Sequence, residues 1–199
     1  MKKLLLLLLL IANFSSFAIK PVITKCVEDS KGDYSLTMEK EGPWIYIREC
    51  DNVTIMMRVE HYKNGVLDGP WIAWDGTGKA AQGNYVNGNK DGEWIYSNKN
   101  EVYKNGVLLK MTKYYGLDYE HKWFERNYNN DNQDGKQTVW YDNGLLKLDA
   151  NYKDGKKDGK WTEWYENGRI WTEAHYKDGK FDGKYTSWYE NGQCISGDC

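Results

Sequence analysis

A block of residues returns three times at a fixed step in the C-terminal half of the chain. Asp134-Gly135, Asp158-Gly159 and Asp182-Gly183 are spaced by 24 residues. Trp140-Tyr141, Trp164-Tyr165 and Trp188-Tyr189 keep that step, as do Asn143-Gly144, Asn167-Gly168 and Asn191-Gly192. Several residue types holding one register over three copies is the signature of a repeat architecture, in which each unit buries its apolar face only by stacking on its neighbours. Looser copies lie upstream: Tyr62-Lys63-Asn64-Gly65 leads to Asp68-Gly69-Pro70-Trp71, and Tyr85-Val86-Asn87-Gly88 to Asp91-Gly92-Glu93-Trp94. Gly42-Pro43-Trp44 reads as the remnant of a first copy, and the pattern degrades between about 98 and 127.

Each unit reads as a β-hairpin. Asn-Gly and Asp-Gly favour two-residue hairpin turns because both central positions need positive φ. Turns are expected at Asn87-Gly88, Asn143-Gly144, Asp154-Gly155 and Asn167-Gly168. Between turns the period is two: Leu146, Leu148, Ala150 and Tyr152 share a face, opposite Lys147, Asp149 and Asn151. In the next copy Ile170, Thr172, Ala174 and Tyr176 oppose Trp171, Glu173 and His175. One apolar and one wetter face is the pattern of an antiparallel sheet. In the preceding strand, Trp161 and Trp164 are three apart and point oppositely. We assign Thr162 and Trp164 to the packed face, and Trp161 and Tyr165 to the wetter one. Gly159 marks a bulge, or a place where a ring lies flat on the backbone, and Lys157 faces solvent. The expected fold is all-β, an elongated antiparallel β-hairpin array running as a meander from about Trp44 to Tyr189.

This pattern resembles the MORN repeat family, and within it the bacterial variant labelled the YwqK-type antitoxin family. The resemblance rests on the Tyr-Lys-Asp-Gly-Lys-x-Asp-Gly-x-Trp unit and the Trp-Tyr-x-Asn-Gly turn. It covers residues 128–193 clearly and 62–97 more loosely. It implies an open meander of hairpins used as a binding or scaffold module, without catalytic residues. The antitoxin label implies a cytoplasmic partner, and the N-terminus departs from that.

Lys2 and Lys3 precede an apolar run from Leu4 to Ala12, followed by a polar stretch ending Ser16-Phe17-Ala18. This is the layout of a signal peptide: a basic start, a short apolar stretch and a small-x-small cleavage site. The domain reading is therefore a signal peptide over 1–18, a cap with a degenerate first repeat over 19–60, and repeats over 61–199 with a divergent unit near 98–127. The expected location is secreted, periplasmic or in the cell envelope, with no transmembrane span after cleavage. Four cysteines remain: Cys26, Cys50, Cys194 and Cys199. An even number in an exported chain reads as disulfides. Twelve or more strands at about 4.8 Å each separate the array ends by roughly 60 Å, and a disulfide needs Cα atoms within about 7 Å. The expected pairs are Cys26 with Cys50 and Cys194 with Cys199, one at each end.

Lys and Arg number 27 against 29 Asp and Glu, a net charge of −2. That leaves no basic surplus for nucleic-acid phosphates, so no nucleic acid is expected as partner. The three histidines, His61, His121 and His175, sit in no zinc-protease spacing and beside no nucleophile elbow. A pocket gathering His121, Glu120 and Glu125 is the one arrangement an enzymatic reading would require; we read a non-enzyme without cofactor. Asn130-x-Asn132-x-Asp134-Gly135 echoes the start of a calcium loop, but its twelfth position is Tyr141 in place of Glu. Turn chemistry explains it, and no metal site is expected. The candidate binding residues are the aromatics of the wetter face and their neighbour: Trp161, Tyr165, Trp171 and His175. Protein is the expected partner. The alternative is a cell-wall glycan, since short Trp-Tyr hairpins also resemble choline- and glucan-binding repeats. An antitoxin or immunity-type role, implied by the family label, is the third reading.

Overall fold

The structure, a computed structural model, describes residues 20–25, 40–50, 53–75, 78–117 and 119–197. The expected signal peptide lies outside these residues, and so do Cys26 and Cys199. The side chain of Cys50 is likewise not described, so the expected cysteine pairs fall beyond what can be seen, although Cys194 is disulfide-bonded. Among the described residues no helix is long and apolar enough to cross a membrane.

The chain is all-β and forms two compact units. The first comprises residues up to 80 together with 85–88, and the second 81–84 and 89–199. The first holds β1 (Lys20–Lys25), β2 (Gly42–Cys50), β3 (Val53–Lys63), the two-residue β4 (Val66–Leu67) and β5 (Gly69–Asp75), with both ends of β6 (Gly78–Val86). Here β2 and β3 pair antiparallel, Trp44 facing Glu60. The β1 strand instead runs parallel to β2, a pairing that turn residues cannot announce because no hairpin makes it. The second unit holds the middle of β6, then β7 (Asn89–Tyr96), β8 (Lys99–Lys104), β9 (Val107–Tyr114), β10 (Lys122–Asn129), β11 (Asn132–Trp140), β12 (Leu146–Lys153), β13 (Lys156–Trp164), β14 (Ile170–Lys177), β15 (Lys180–Trp188) and β16 (Cys194–Ser196). From β7 to β16 each strand pairs antiparallel with the next. The meander is as expected, and it runs through the divergent stretch.

Two kinds of turn alternate. Asn87-Gly88 and Asp154-Gly155 have positive φ at both residues, 49° and 80° in one, 49° and 77° in the other. These are the two-residue turns the sequence calls for. Asn143-Gly144 and Asn167-Gly168 differ. Only the glycines are left-handed, at 83° and 82°. Tyr141 N–H donates to Leu145 O at 2.8 Å, and Gly144 N–H to Tyr141 O at 3.0 Å. This closes a three-residue loop, a tight turn followed by a left-handed residue, so one positive φ suffices.

The Asp-Gly of each first strand makes no hairpin turn at all. Tyr152 opposes Lys157 while Ala150 opposes Trp161, so Asn151 spans a bulge formed by Asp158, Gly159 and Lys160. Gly159 has φ of 105°, and a valine there would be strained whatever space it found. The bulge expectation holds. The ring lying on a glycine backbone occurs elsewhere, at Gly83, where an added Cβ would sit 2.2 Å from the Trp94 ring.

The bulge also decides which face Trp161 joins. Its register partners are Ala150 and Ala174, and these three form a buried cluster flanked by Leu148, Tyr152 and Tyr176. Trp161 is 8 % exposed, which corrects its assignment to the wetter face. Alternation inside one strand tells which residues share a side, but only the register tells which side of the neighbour that is. Tyr152 and Tyr176 meet the indole edge-to-face at 6.3 and 5.7 Å, the geometry favoured by ring quadrupoles. Lys157 is also corrected: it is half-buried, its ammonium 3.5 Å from the Trp161 ring centroid.

Candidate functional site

The Lys-x-Gly-x-Trp spacing recurs as Lys40-x-Gly42-x-Trp44, Lys90-x-Gly92-x-Trp94 and Lys157-x-Gly159-x-Trp161. Each lysine lies over its own tryptophan. In the second unit Lys90 Nζ is 4.4 Å from the Trp94 ring and 4.9 Å from Tyr103, and it donates to Tyr96 Oη at 2.7 Å. Nearby, buried Glu101 accepts from Lys99 at 2.7 Å and from Tyr103 Oη at 2.9 Å. Burial lowers the pKa of Lys90. Burial pushes the Glu101 carboxyl up, but its bonds from Lys99 and Tyr103 outweigh this and hold it low. The first unit repeats the arrangement with Lys40, Trp44, Tyr46, Arg58, Glu60 and Tyr62. These are aromatic cages whose cation is already supplied by the chain, so we assign them to packing. Elsewhere the same two positions hold Gln133 and Gln137, where Gln133 Nε2–H donates a hydrogen bond to Gln137 Oε1 at 2.6 Å. They also hold Phe181 and Tyr185, in edge-to-face contact at 6.0 Å. The pair changes chemistry while keeping its contact, as a packing pair does.

At the end of each hairpin carrying the Asp-Gly or Asn-Gly turn, aspartates stitch neighbouring turns together. Asp134 accepts from Asp154 N–H at 3.1 Å, Asp158 from Asp178 N–H at 3.4 Å, and Asp91 from Asn105 N–H at 3.1 Å. Lys177 and Lys104 add ion pairs to Asp158 and Asp91 at 2.9 and 3.1 Å. This explains Asp134, so the echo of a calcium loop there is turn chemistry. The Lys177 bond lowers the pKa of Asp158, and the Asn105 N–H lowers that of Asp91. Carboxylates with a folded pKa below their unfolded one contribute stability that is present above the unfolded value. It is lost as pH falls through the folded one. The melting temperature is therefore expected to hold from about pH 7 to about pH 5, and to fall once pH drops below about 4, the usual carboxylate range. Asp158→Asn should melt lower at neutral pH and lose less on acidification. A melting temperature that rises between pH 5 and pH 3 would contradict this ladder.

The opposite end, at the Trp-Tyr-x-Asn-Gly loops of the second unit, is built differently. Tyr115, Tyr141 and Tyr165 each donate Oη–H to a backbone oxygen of the next repeat, Trp140, Trp164 and Trp188, all at 2.8 Å. Asn143 and Asn167 reach across to the oxygens of Glu166 and Glu190. They also accept from Leu145 and Arg169 N–H at 2.9 Å. Every loop is thus tied to the next. Over each tyrosine lies a partner from the following strand. Trp123 meets Tyr115 at 5.9 Å and Trp171 meets Tyr165 at 6.0 Å, while Lys147 lies over Tyr141 at 5.1 Å. Exposed apolar side chains crowd this edge: Tyr115, Trp123, Leu145, Leu146, Ile170, Trp171, Tyr189 and Ile195. Trp171 is 45 % exposed. A row of fixed rings open to solvent is the strongest candidate for a binding surface on the described residues.

Three stretches of the chain match the MORN repeat variant model: residues 133–154, 157–178 and 181–194. Each begins at the bulge of a first strand and takes in its second strand or the start of it, so β11 to β16 coincide with the MORN-variant segment. No curated protein matches the chain.

Within the MORN-variant segment the four candidate residues separate. Tyr165 and Trp171 come together at the loop edge. His175 is exposed farther along β14, away from the loop, and Trp161 is in the core. Trp123 lies in the divergent stretch and was missed: it follows Tyr115 by eight residues, whereas Trp171 follows Tyr165 by six. In that stretch Glu125 is paired with Lys110 at 2.9 Å and with Lys122 at 3.2 Å. Burial raises its carboxyl, and these two partners more than reverse that.

Proposed function

We propose that this is a non-catalytic binding or scaffold protein, acting outside the cytoplasm, that engages protein partners along the loop edge of its second unit. The observation carrying the reading is the repeated exposed pair, Tyr115 with Trp123 and Tyr165 with Trp171, each anchored by a tyrosine bond into the next repeat. Rigid exposed indoles are common interface anchors, because little side-chain entropy remains to be lost on binding. The basic and apolar N-terminal residues support export. A second reading, glycan binding, draws on the even recurrence of the loop tyrosines Tyr141, Tyr165 and Tyr189.

The test is capture from an envelope extract with the full chain and with a Trp123→Ala/Trp171→Ala variant. The double variant is expected to keep its melting temperature within a few degrees, as for surface substitutions, and to lose captured protein by about tenfold or more, the share of binding energy an anchor residue carries. Undiminished capture by the double variant removes the loop edge from the account. Loss of binding to purified cell-wall glycan, with protein capture intact, favours the second reading.

A further inference from the structure

On the face that holds the Trp161 cluster, an arginine stands where other repeats place alanine. Gln137 takes the register of Trp161, and its partner on β10 is Arg126, in the position that Ala150 holds opposite Trp161 and Ala174 holds opposite Tyr185. The guanidinium stays ionised at any physiological pH. Its carbon lies 4.3 Å from the Phe124 ring centroid, a contact that uses the charge and none of the N–H donors. Among the described residues Arg126 has no ion pair, and its Nε is buried without a hydrogen-bond partner. Glu125, next in the chain, points to the other face and is held by Lys110 and Lys122. Glu101, two strands away in the same row through Met111, is held by Lys99 and Tyr103. A half-buried charge without a partner costs stability, so its presence in place of alanine points to an anion that arrives from outside this face.

The groups around Arg126 are donors as well. Gln137 Oε1 accepts from Gln133, and the Gln137 amide N–H groups meet no acceptor among the described residues. Tyr128 lies two residues along β10 and opposes Gln133. Tyr152 lies two residues beyond Ala150, which opposes Gln137. Neither hydroxyl meets an acceptor among the described residues. Burial raises the Tyr152 phenol and the Arg126 charge works against it, so the two are within electrostatic reach. Donors gathered around one cation select an anion. Lys157, beyond Tyr152, is engaged by the Trp161 ring, which leaves a single positive charge to balance. That matches the one charge of a carboxylate rather than the nearly double charge of a phosphate.

We propose that Arg126, Gln137, Tyr128 and Tyr152 form a binding site for one carboxylate group, supplied by an acidic side chain of a protein partner or by a free carboxylic acid. Arg126 Nε–H and a Gln137 amide N–H donate to the carboxylate oxygens, and the two phenols add O–H donors beside them. None of these residues belongs to the loop edge, and the site stands whether or not that edge binds protein.

The test is a nuclear magnetic resonance titration of the full, isotope-labelled chain, read at the Arg126 Nε–H, which is assigned by its loss in Arg126→Lys. The probes are acetate, the peptides acetyl-Gly-Asp-Gly-amide and acetyl-Gly-Asn-Gly-amide, and inorganic phosphate. Acetate and the Asp peptide are expected to shift the Arg126 signal saturably, with half-saturation on the order of 1–10 mM for a few charge-assisted hydrogen bonds. The neutral Asn peptide should leave it unmoved. Tighter binding of the Asp peptide than of acetate assigns the site to a protein side chain, and the reverse order to a free acid; either supports the carboxylate site. Arg126→Lys keeps the charge and loses the fork, so acetate binding, read at the Gln137 side-chain amide, should weaken about fivefold or more at unchanged melting temperature. Gln137→Glu places a carboxylate beside Arg126 from within the chain. It should move the Arg126 Nε–H signal towards its bound position without any probe and abolish acetate binding, and it serves alone if Arg126→Lys fails to fold. The proposal is overturned by no saturable shift with either carboxylate at tens of millimolar, or by an equal response to the Asn peptide. It is overturned equally by phosphate binding more tightly than acetate, or by acetate binding that persists unchanged in Arg126→Lys or in Gln137→Glu.

Discussion

Gly83→Ala is expected to destabilise the protein by about 3 kcal/mol or more, at the upper end of overpacking costs. Gly83 lies in β6, and a methyl group there would fall 2.2 Å from Cδ2 and 2.3 Å from Cε2 of Trp94. The indole cannot step aside. It is 1 % exposed, and its Nε1 donates to Asn84 O at 3.2 Å. Lys90 lies over the same ring. For a chain of this size the cost corresponds to a loss of roughly 6–12 °C in melting temperature. Scanning calorimetry would measure it. Trp94→Leu in the Gly83→Ala background should recover part of the loss, because the clash is with the ring and the two sites are coupled. A Gly83→Ala protein that melts within about 1 °C of the parent would mean that the ring does not lie on this backbone.

Trp161→Ala is expected to cost about 3–5 kcal/mol, the range for emptying a large aromatic site. The indole fills the space between Ala150 and Ala174, and Tyr152, Tyr176 and Lys157 all rest on it. Truncation would leave a cavity lined by two alanines that are too small to close it. Trp171→Ala, ten residues on, should change stability by under about 1 kcal/mol, since its main contact is the tilted Tyr165 ring at the surface. Denaturant melts of the two variants check the pair of expectations. Equal losses, or a larger loss from Trp171→Ala, would exchange the core and the binding edge.

The hairpins were legible because the residues that make them are few and chemically forced. Asn87-Gly88 and Asp154-Gly155 need positive φ twice, and the sequence supplies residues that tolerate it. The bulge at Gly159 was legible for the same reason. The side of the sheet taken by Trp161 was not. It depends on how Asn151 spans three residues of the partner strand, a relation between strands that no single strand records. The role of Asp158 was hidden likewise, because its partner is the turn twenty residues on. Of the proposed binding edge, Tyr165 and Trp171 could be named from their alternation, but their meeting with each other could not. Trp123 could not be reached by extending the tyrosine-to-partner spacing, because the divergent loop is two residues longer and a six-residue step from Tyr115 lands on His121. The parallel pairing of β1 with β2 left no trace in either turns or periodicity.

Separation of a buried aromatic core from an exposed aromatic edge is the claim on which the functional reading rests. Oxidative footprinting of individual tryptophans in the intact, unliganded protein tests it most directly, because indole modification follows solvent access residue by residue. Trp123 and Trp171 are expected to be modified fastest, with Trp44, Trp94 and Trp161 protected by about tenfold or more until the protein unfolds, as buried groups react only through opening. Modification of Trp161 as fast as Trp171 under native conditions would contradict the account.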